Sequence, residues 1–311
     1  MPRSGLSELV ARVDPGLAAV VDGDHVVDFE QFDECIDWLC GDLGACGVRA
    51  GHRVGLYIRG GWEFVLTLHA LVRLDAVVTP LDPLDDSVGS AAGGVPMDFL
   101  LSHRIEDDVL EDAVLAFAVE TDPPMYSVAD DYILVVLNDC DVPGTAGGFV
   151  FADTDGAVVD WDEFAGHLDA VRRALGLEAG TQVRVCSNTV SAEAISVVLA
   201  SAAAGACVHL GSAATGSAAW TGADGTVISV LFAPASMACA MIETAPIAVR
   251  DGLRLATDRR ERLSEAVLRR YGMVRRNAST ATIYEFADAE PCRELDPPRR
   301  GRGAAGLRSV S

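Results

Sequence analysis

The stretch Val26-Val27-Asp28-Phe29-Glu30-Gln31-Phe32 returns as Val158-Val159-Asp160-Trp161-Asp162-Glu163-Phe164. Each copy leads into an amphipathic helical pattern. Phe32, Ile36, Leu39, Cys40 and Leu43 fall on one face at helical spacing in the first copy, and Phe164, Leu168, Val171, Arg172 and Leu175 do so less purely in the second. Each pattern stops at a glycine, Gly47 or Gly176, where a left-handed backbone is easy. An apolar strand follows (Val54–Ile58; Val183–Ser187), then a second helix (Trp62–Leu74; Ala192–Ala204) and a second strand (Ala76–Leu81; Ala206–Leu210). Helix, strand, helix, strand is thus used twice. Short apolar strands separated by helices belong to a parallel sheet covered on both faces.

The rest of the chain extends this pattern. A strand over Thr226–Phe232 leads into a helix over Pro234–Ile242, with proline near the favoured first position. A strand at Leu253–Ala256 and a helix at Arg262–Tyr271 come next, and residues 296–303 are rich in Pro, Gly and Arg. The expected fold is therefore α/β: two related lobes, with mainly parallel sheets flanked by helices. The first lobe is drawn at residues 1–135, the second with its extra strand–helix units at 136–295, and an Arg/Gly/Pro-rich tail at 296–311.

Composition narrows the function classes. All 24 basic residues are arginine; the 311-residue chain contains no lysine. Net charge is −22, but residues 250–311 carry 14 Arg against 9 Asp and Glu, while the remainder carries 10 Arg against 37. An acidic body argues against nucleic acid as a partner. The eight cysteines lack metal-ligand spacing and read as buried free thiols of a cytoplasmic protein. The apolar stretch Ala194–Leu210 is broken by Gly205 and His209, so no membrane span is expected. The N-terminus has no secretory pattern. His69 reads as a satisfied, partly buried helix residue.

The runs Val20-Val21-Asp22-Gly23-Asp24, Gly47-Val48-Arg49-Ala50-Gly51-His52-Arg53-Val54 and Ala76-Val77-Val78-Thr79-Pro80-Leu81-Asp82-Pro83 resemble the start of an adenylate-forming enzyme. The similarity is greatest to adenylation domains of nonribosomal peptide synthetases. Residues 227–236 and Leu295-Asp296-Pro297 with Arg300-Gly301-Arg302 are similar to later stretches. The resemblance implies the N-terminal part of such a domain, without the C-terminal domain. It places the ribose-binding aspartate, the hinge and the C-terminal lysine outside this chain.

The motifs that the resemblance places inside the chain are altered. The family's phosphate loop is rich in Ser, Thr and Gly and ends in Pro-Lys-Gly. Here the corresponding stretch carries Asp139 and Asp141, followed by a degenerate remnant at Gly144, Thr145, Gly147 and Gly148. Carboxylates repel a polyphosphate. If Glu261 takes the glutamate of the adenine motif, Arg259 and Arg260 replace its glycines. Asn277 and Thr280 match the asparagine and threonine of the acyl-pocket motif, whose magnesium-binding glutamate is missing.

The resulting expectation is an adenylation-domain-like protein that has lost ATP-dependent acid activation and acts by binding in natural-product biosynthesis. No cofactor is expected, ATP and magnesium included, and no metal. Candidate partners are an acidic carrier protein, a synthetase module, a small acyl or aminoacyl ligand, or a second copy of the chain. Arg269, Arg270, Arg275 and Arg276 are the candidate partner-binding residues. The alternative is an enzyme: a divergent or split AMP-forming ligase, or a repurposed cleft between the lobes acting on a carrier-bound substrate.

Overall fold

The computed structural model describes residues 13–83, 96–103, 124–128, 132–138, 147–151, 157–186, 191–211, 220–222, 225–250, 252–258, 261–271, 273–277 and 282–286. The hairpin β1 (Ala18–Asp22) and β2 (His25–Asp28) opens the first repeat, followed by α1 (Phe29–Ala45), β3 (Arg53–Tyr57), α2 (Trp62–Arg73) and β4 (Val77–Pro80). β5 (Phe99–His103), β6 (Met125–Val128) and β7 (Tyr132–Val136) come next. The second repeat has the hairpin β8 (Gly148–Phe149) and β9 (Val159–Asp160), then α3 (Trp161–Leu175), β10 (Gln182–Val185), α4 (Ala192–Ala204) and β11 (Cys207–Leu210). The remaining elements are β12 (Val230–Phe232), α5 (Ala235–Thr244), α6 (Ile247–Arg250), β13 (Arg254–Thr257), α7 (Glu265–Tyr271), β14 (Met273–Asn277) and β15 (Thr282–Phe286).

Local chemistry sets the helix ends. Asp28 and Gln31 form a capping box at the start of α1. Asp160 accepts from Glu163 N at α3, and Ser191 accepts from Ala194 N at α4. Gly176 and Gly205 end α3 and α4 in left-handed conformation. Phe32, Ile36, Leu39 and Leu43 are the buried stripe of α1, while Cys40 is half-buried and donates to Ala70 O at 3.3 Å.

The strands form two sheets, in the orders β14-β15-β13-β12-β10-β11-β1-β2 and β6-β7-β5-β3-β4-β8-β9. Both are parallel in the middle. β1, β11, β10, β12 and β13 run parallel in one sheet, and β8, β4, β3 and β5 in the other, with antiparallel hairpins at the margins.

The sheets do not follow a chain boundary at 135/136. β1 of the first repeat pairs with β11 of the second (Val20↔Val208), and β8 of the second pairs with β4 of the first (Val77↔Gly148, Val78↔Phe149). Each repeat lends its opening hairpin to the other's sheet. The drawn lobes of 1–135 and 136–295 therefore share strands, and the tail at 296–311 lies outside the described residues. One core joins the facing sides of both sheets and the four long helices α1 to α4. A second cluster, with Cys186, Trp220, Leu231, Leu255 and Tyr284, covers the opposite face of the eight-stranded sheet.

Candidate functional site

In an open α/β sheet the crevice lies beyond the carboxyl ends of the strands, where the order reverses. In the eight-stranded sheet the chain passes from β10 to β11 on one side, then returns to β12 on the other, so the crevice opens between β10 and β12. It is walled by Cys186, by Ala233-Pro234 leading into α5, and by Thr257-Asp258 after β13.

The crevice is partly occupied by the chain itself. α5 has no side-chain cap of its own at Pro234. Glu261 fills that role from 26 residues away: its Oε2 accepts from Ala235 N at 2.5 Å. Thr257 Oγ1 in turn donates to the Glu261 carbonyl at 2.9 Å. The positive end of the helix, a natural anion seat, thus holds a carboxylate. Cys186 offers no nucleophile, because burial pushes its thiol up to about 11 against the lowering effect of Arg184.

Of the phosphate-loop remnant, Gly147 and Gly148 are described and Gly144 and Thr145 lie outside the described residues. Both described glycines are buried at the start of β8. A Cβ on Gly147 would overlap the Trp161 indole nitrogen, and would meet the Asp75 carbonyl at 2.5 Å and its Oδ1 at 2.6 Å. A Cβ on Gly148 would overlap the Val159 carbonyl and meet Val158 Cγ1 at 2.8 Å. The Gly148 N–H donates to Ala76 O at 3.2 Å as part of the ladder with β4. What approaches these glycines is protein, including the carboxylate of Asp75.

Arg259, Arg260 and Thr280 lie outside the described residues. Asn277 ends β14, in register with Thr282 of β15. Arg269 and Arg270 are exposed on α7, and Arg275 is exposed on β14, against which α7 packs. Arg276 also lies on β14, in register with Ile283. Arg270 is partly used internally. Its Nη1 meets Glu243 Oε1 at 3.2 Å, where Tyr271 OH also donates at 3.3 Å. Arg269 Nε donates to Glu265 O at 3.2 Å. The structure therefore brings Arg269, Arg270 and Arg275 to one margin of the eight-stranded sheet, away from the glycines of β8, which belong to the other sheet.

The resemblance assigns Glu261 a motif position but not its place as the cap of α5, and one residue of the site, Arg184, has no role in the sequence reading. Arg184 sits on β10 between Val183 and Val185 and is buried. An arginine in a strand covered on both faces was the signal that could have found it. Cysteine burial also differs from expectation: Cys186 and Cys207 are buried, but Cys35, Cys40, Cys46 and Cys239 are half-buried. The thiols of α1 lie on the margins of its apolar stripe, where neighbours cover only one side. Among the described residues no group of three or more His, Cys, Asp or Glu is placed to hold a metal ion, and no described helix is long and apolar enough to cross a membrane.

The two-sheet fold is that of the N-terminal part of AMP-binding ligases. Residues 8–89 match the model of the AMP-binding enzyme family. No curated protein matches the chain in sequence. Among solved structures, the chain is similar to a protein of Rhodopseudomonas palustris described as a long-chain-fatty-acid CoA ligase. The TM-score is 0.66 at 14% identity, over 86% of this chain and 71% of that one. It is similar to the N-terminal domain of FACL13 from Mycobacterium tuberculosis, with TM-score 0.64 and 16% identity, over 90% of this chain and 83% of that one. The nonribosomal peptide synthetase FmoA3 matches with TM-score 0.55 and 15% identity, over 83% of this chain and 31% of that one. At these identities the likeness is one of fold.

Proposed function

We propose that this protein does not activate acids with ATP and acts by binding an acidic carrier protein or synthetase module in natural-product biosynthesis. The observation that carries this reading is the state of Gly147 and Gly148. Glycines that cradle phosphate leave their amides and their open side to the ligand. Here the Gly148 amide is used in the sheet, and Gly147 faces Trp161 and the Asp75 carboxylate. Asp139 and Asp141 precede them, and no lysine exists anywhere in the chain. Arginine does not reproduce a lysine's compact, rotatable charge. Losing one preorganised charge-stabilising donor costs about 3–4 kcal/mol of the barrier. A shortfall of several such donors removes the reaction.

The binding face is the arginine-bearing margin formed by α7 and β14. A carrier protein rich in carboxylates is repelled by residues 1–249 and attracted there. Two measurements test the reading together. ATP–pyrophosphate exchange with amino acids and aryl acids is expected to stay at the level of a boiled control; exchange above it refutes the noncatalytic reading and favours a divergent ligase. Binding of carrier proteins encoded near this chain is expected to weaken with salt, over the ~8–10 Å screening length near physiological ionic strength. It should weaken again on changing Arg269, Arg270, Arg275 and Arg276 to Gln. Equal affinity in parent and variant removes the docking face.

A further inference from the structure

The outer face of the eight-stranded sheet buries a guanidinium with no counter-charge among the described residues. Arg184 is in register with His209 of β11 on one side and Leu231 of β12 on the other. Strand alternation sends Val183 and Val185 into the shared core and Arg184, with Cys186, to the opposite face. Arg184 is 8% exposed. Its Nη2 donates to the Thr221 carbonyl at 3.3 Å, a long bond, and its Nε is buried with no acceptor. The residue next to Thr221 is Trp220, 1% exposed, and its indole N–H is also buried with no acceptor.

Nothing described on this face supplies the missing charge. His209 Nε2 is engaged with Gln182 Oε1 at 2.7 Å. The Cys186 thiol stays neutral at physiological pH, since burial raises it to about 11. No described carboxylate pairs with Arg184. A buried cation left unpaired is strongly unfavourable, whereas the same cation meeting an oxyanion makes short, charge-assisted bonds. Both orphaned groups, Nε–H and indole N–H, are donors. Both call for an oxygen acceptor, and the guanidinium calls for a negative one. The long bond to Thr221 leaves Nη2 little to lose in turning to a better acceptor beside Nε–H, the edge that grips an oxyanion with two parallel bonds.

We propose that this face holds a subsite for a single oxyanion group, a carboxylate or a phosphate, seated on the Arg184 guanidinium and the Trp220 indole N–H. The site lies two residues along β10 from Cys186, about 7 Å below the mouth of the crevice at ~3.3 Å per residue. It is separate from the arginine-bearing margin of α7 and β14, and its existence does not depend on the docking role proposed for that margin.

The test is thermal unfolding of the full chain in increasing sodium acetate and, separately, sodium phosphate, against sodium chloride at matched ionic strength. Arg184→Met, Trp220→Phe and an Arg172→Gln/Arg173→Gln control at two exposed positions of α3 are compared with the parent. The parent midpoint is expected to rise saturably with acetate or phosphate beyond chloride, by mass action on the folded state. Acetate as the effective anion identifies a carboxylate seat, and phosphate a phosphate seat. Arg184→Met is expected to unfold at a higher midpoint than the parent without anion, and to show no anion response. Trp220→Phe keeps an aromatic in place and is expected to bind the anion about tenfold more weakly, as loss of one donor predicts. The surface control keeps the parent response. The proposal is overturned if neither anion exceeds chloride in the parent, if both core variants respond like the parent, or if the surface control loses the response. Should Arg184→Met fail to fold, Trp220→Phe decides alone.

Discussion

The two repeats fold alike but are held differently. In the first, α2 begins at Gly61 with no cap of its own, and its leading amide, Trp62 N, donates to Asp22 Oδ2 at 2.9 Å. Asp22 ends β1, which belongs to the other sheet, and His25 of the same hairpin lies edge-on to Trp62 at 5.5 Å. In the second, α4 is capped locally by Ser191. The first repeat is thus tied across the molecule, and the second is self-contained at the same point. Counting back six residues from the left-handed residue that ends each second helix gives His69 in the first copy and Leu199 in the second. Identical architecture therefore hides a polar, long-range solution in one copy and an apolar, local one in the other.

The largest effect should come from making the first copy like the second at His69. His69 Nδ1 lies 2.8 Å from Val65 O, Nε2 is buried with no partner, and the ring packs edge-on to Phe32 at 4.9 Å. Burial is the main cause that lowers its pKa to about 4 from 6.5. The unfolded chain takes up a proton near pH 6.5 and the folded chain only near 4, so this contribution is fully present above about pH 6.5 and is lost as pH falls toward 4. Relative to His69→Leu, the parent should lose about 3 kcal/mol between pH 7 and pH 4. Urea denaturation at several pH values measures it, and parallel curves for the two proteins would mean that His69 is solvated.

A smaller effect separates the two caps. Asp22→Ala removes a charge-assisted bond at a helix N-terminus and should cost about 2 kcal/mol. Ser191→Ala should cost about 1 kcal/mol. Both are read from urea midpoints at pH 7. Equal costs would show that the cross-sheet tie adds nothing to a local cap.

The locally determined features were legible in the sequence. The sequence places a helix over Ala192–Ala204, and the structure shows Ser191 and Gly205 as its local start and stop. The strand–helix order followed from spacing alone. The exchange of hairpins was not legible, since the β1–β11 pairing joins Val20 to Val208 and apolar alternation says that a strand is covered, not by which strand. The same holds for the site. Gly147 stood out as a glycine, but its reason, the close approach of Asp75 and Trp161, joins three segments far apart in the chain. Arg184 was readable as a misfit in an apolar strand. Its lack of a partner required knowing which side chains surround it.

The smallest effect concerns the residue that ends the second helix of each repeat. Asp75 has φ 59° and Gly205 has φ 73°, and Asp75 is the one non-glycine with positive φ among the described residues. The surroundings match. The Asp75 carbonyl accepts from Gly51 N at 2.7 Å and the Gly205 carbonyl from Gly180 N at 2.9 Å, and each residue's own N–H closes the helix at 3.1 Å on Val72 O or Ala202 O. A side chain in this conformation costs about 1–2 kcal/mol, least for Asp and Asn. Glycine avoids that cost but loses about 0.5–1 kcal/mol through its freer unfolded chain. Gly205→Ala should therefore destabilise by at least about 1 kcal/mol, the more so because the new Cβ would meet Val13 Cγ1 at 2.9 Å. Asp75→Gly should change stability by no more than about 0.5 kcal/mol, the two terms nearly cancelling. The outcome that breaks the comparison is a loss well above that value in Asp75→Gly. The Asp75 carboxylate, which lies against Gly147, would then be holding the start of β8 in place as well as ending a helix.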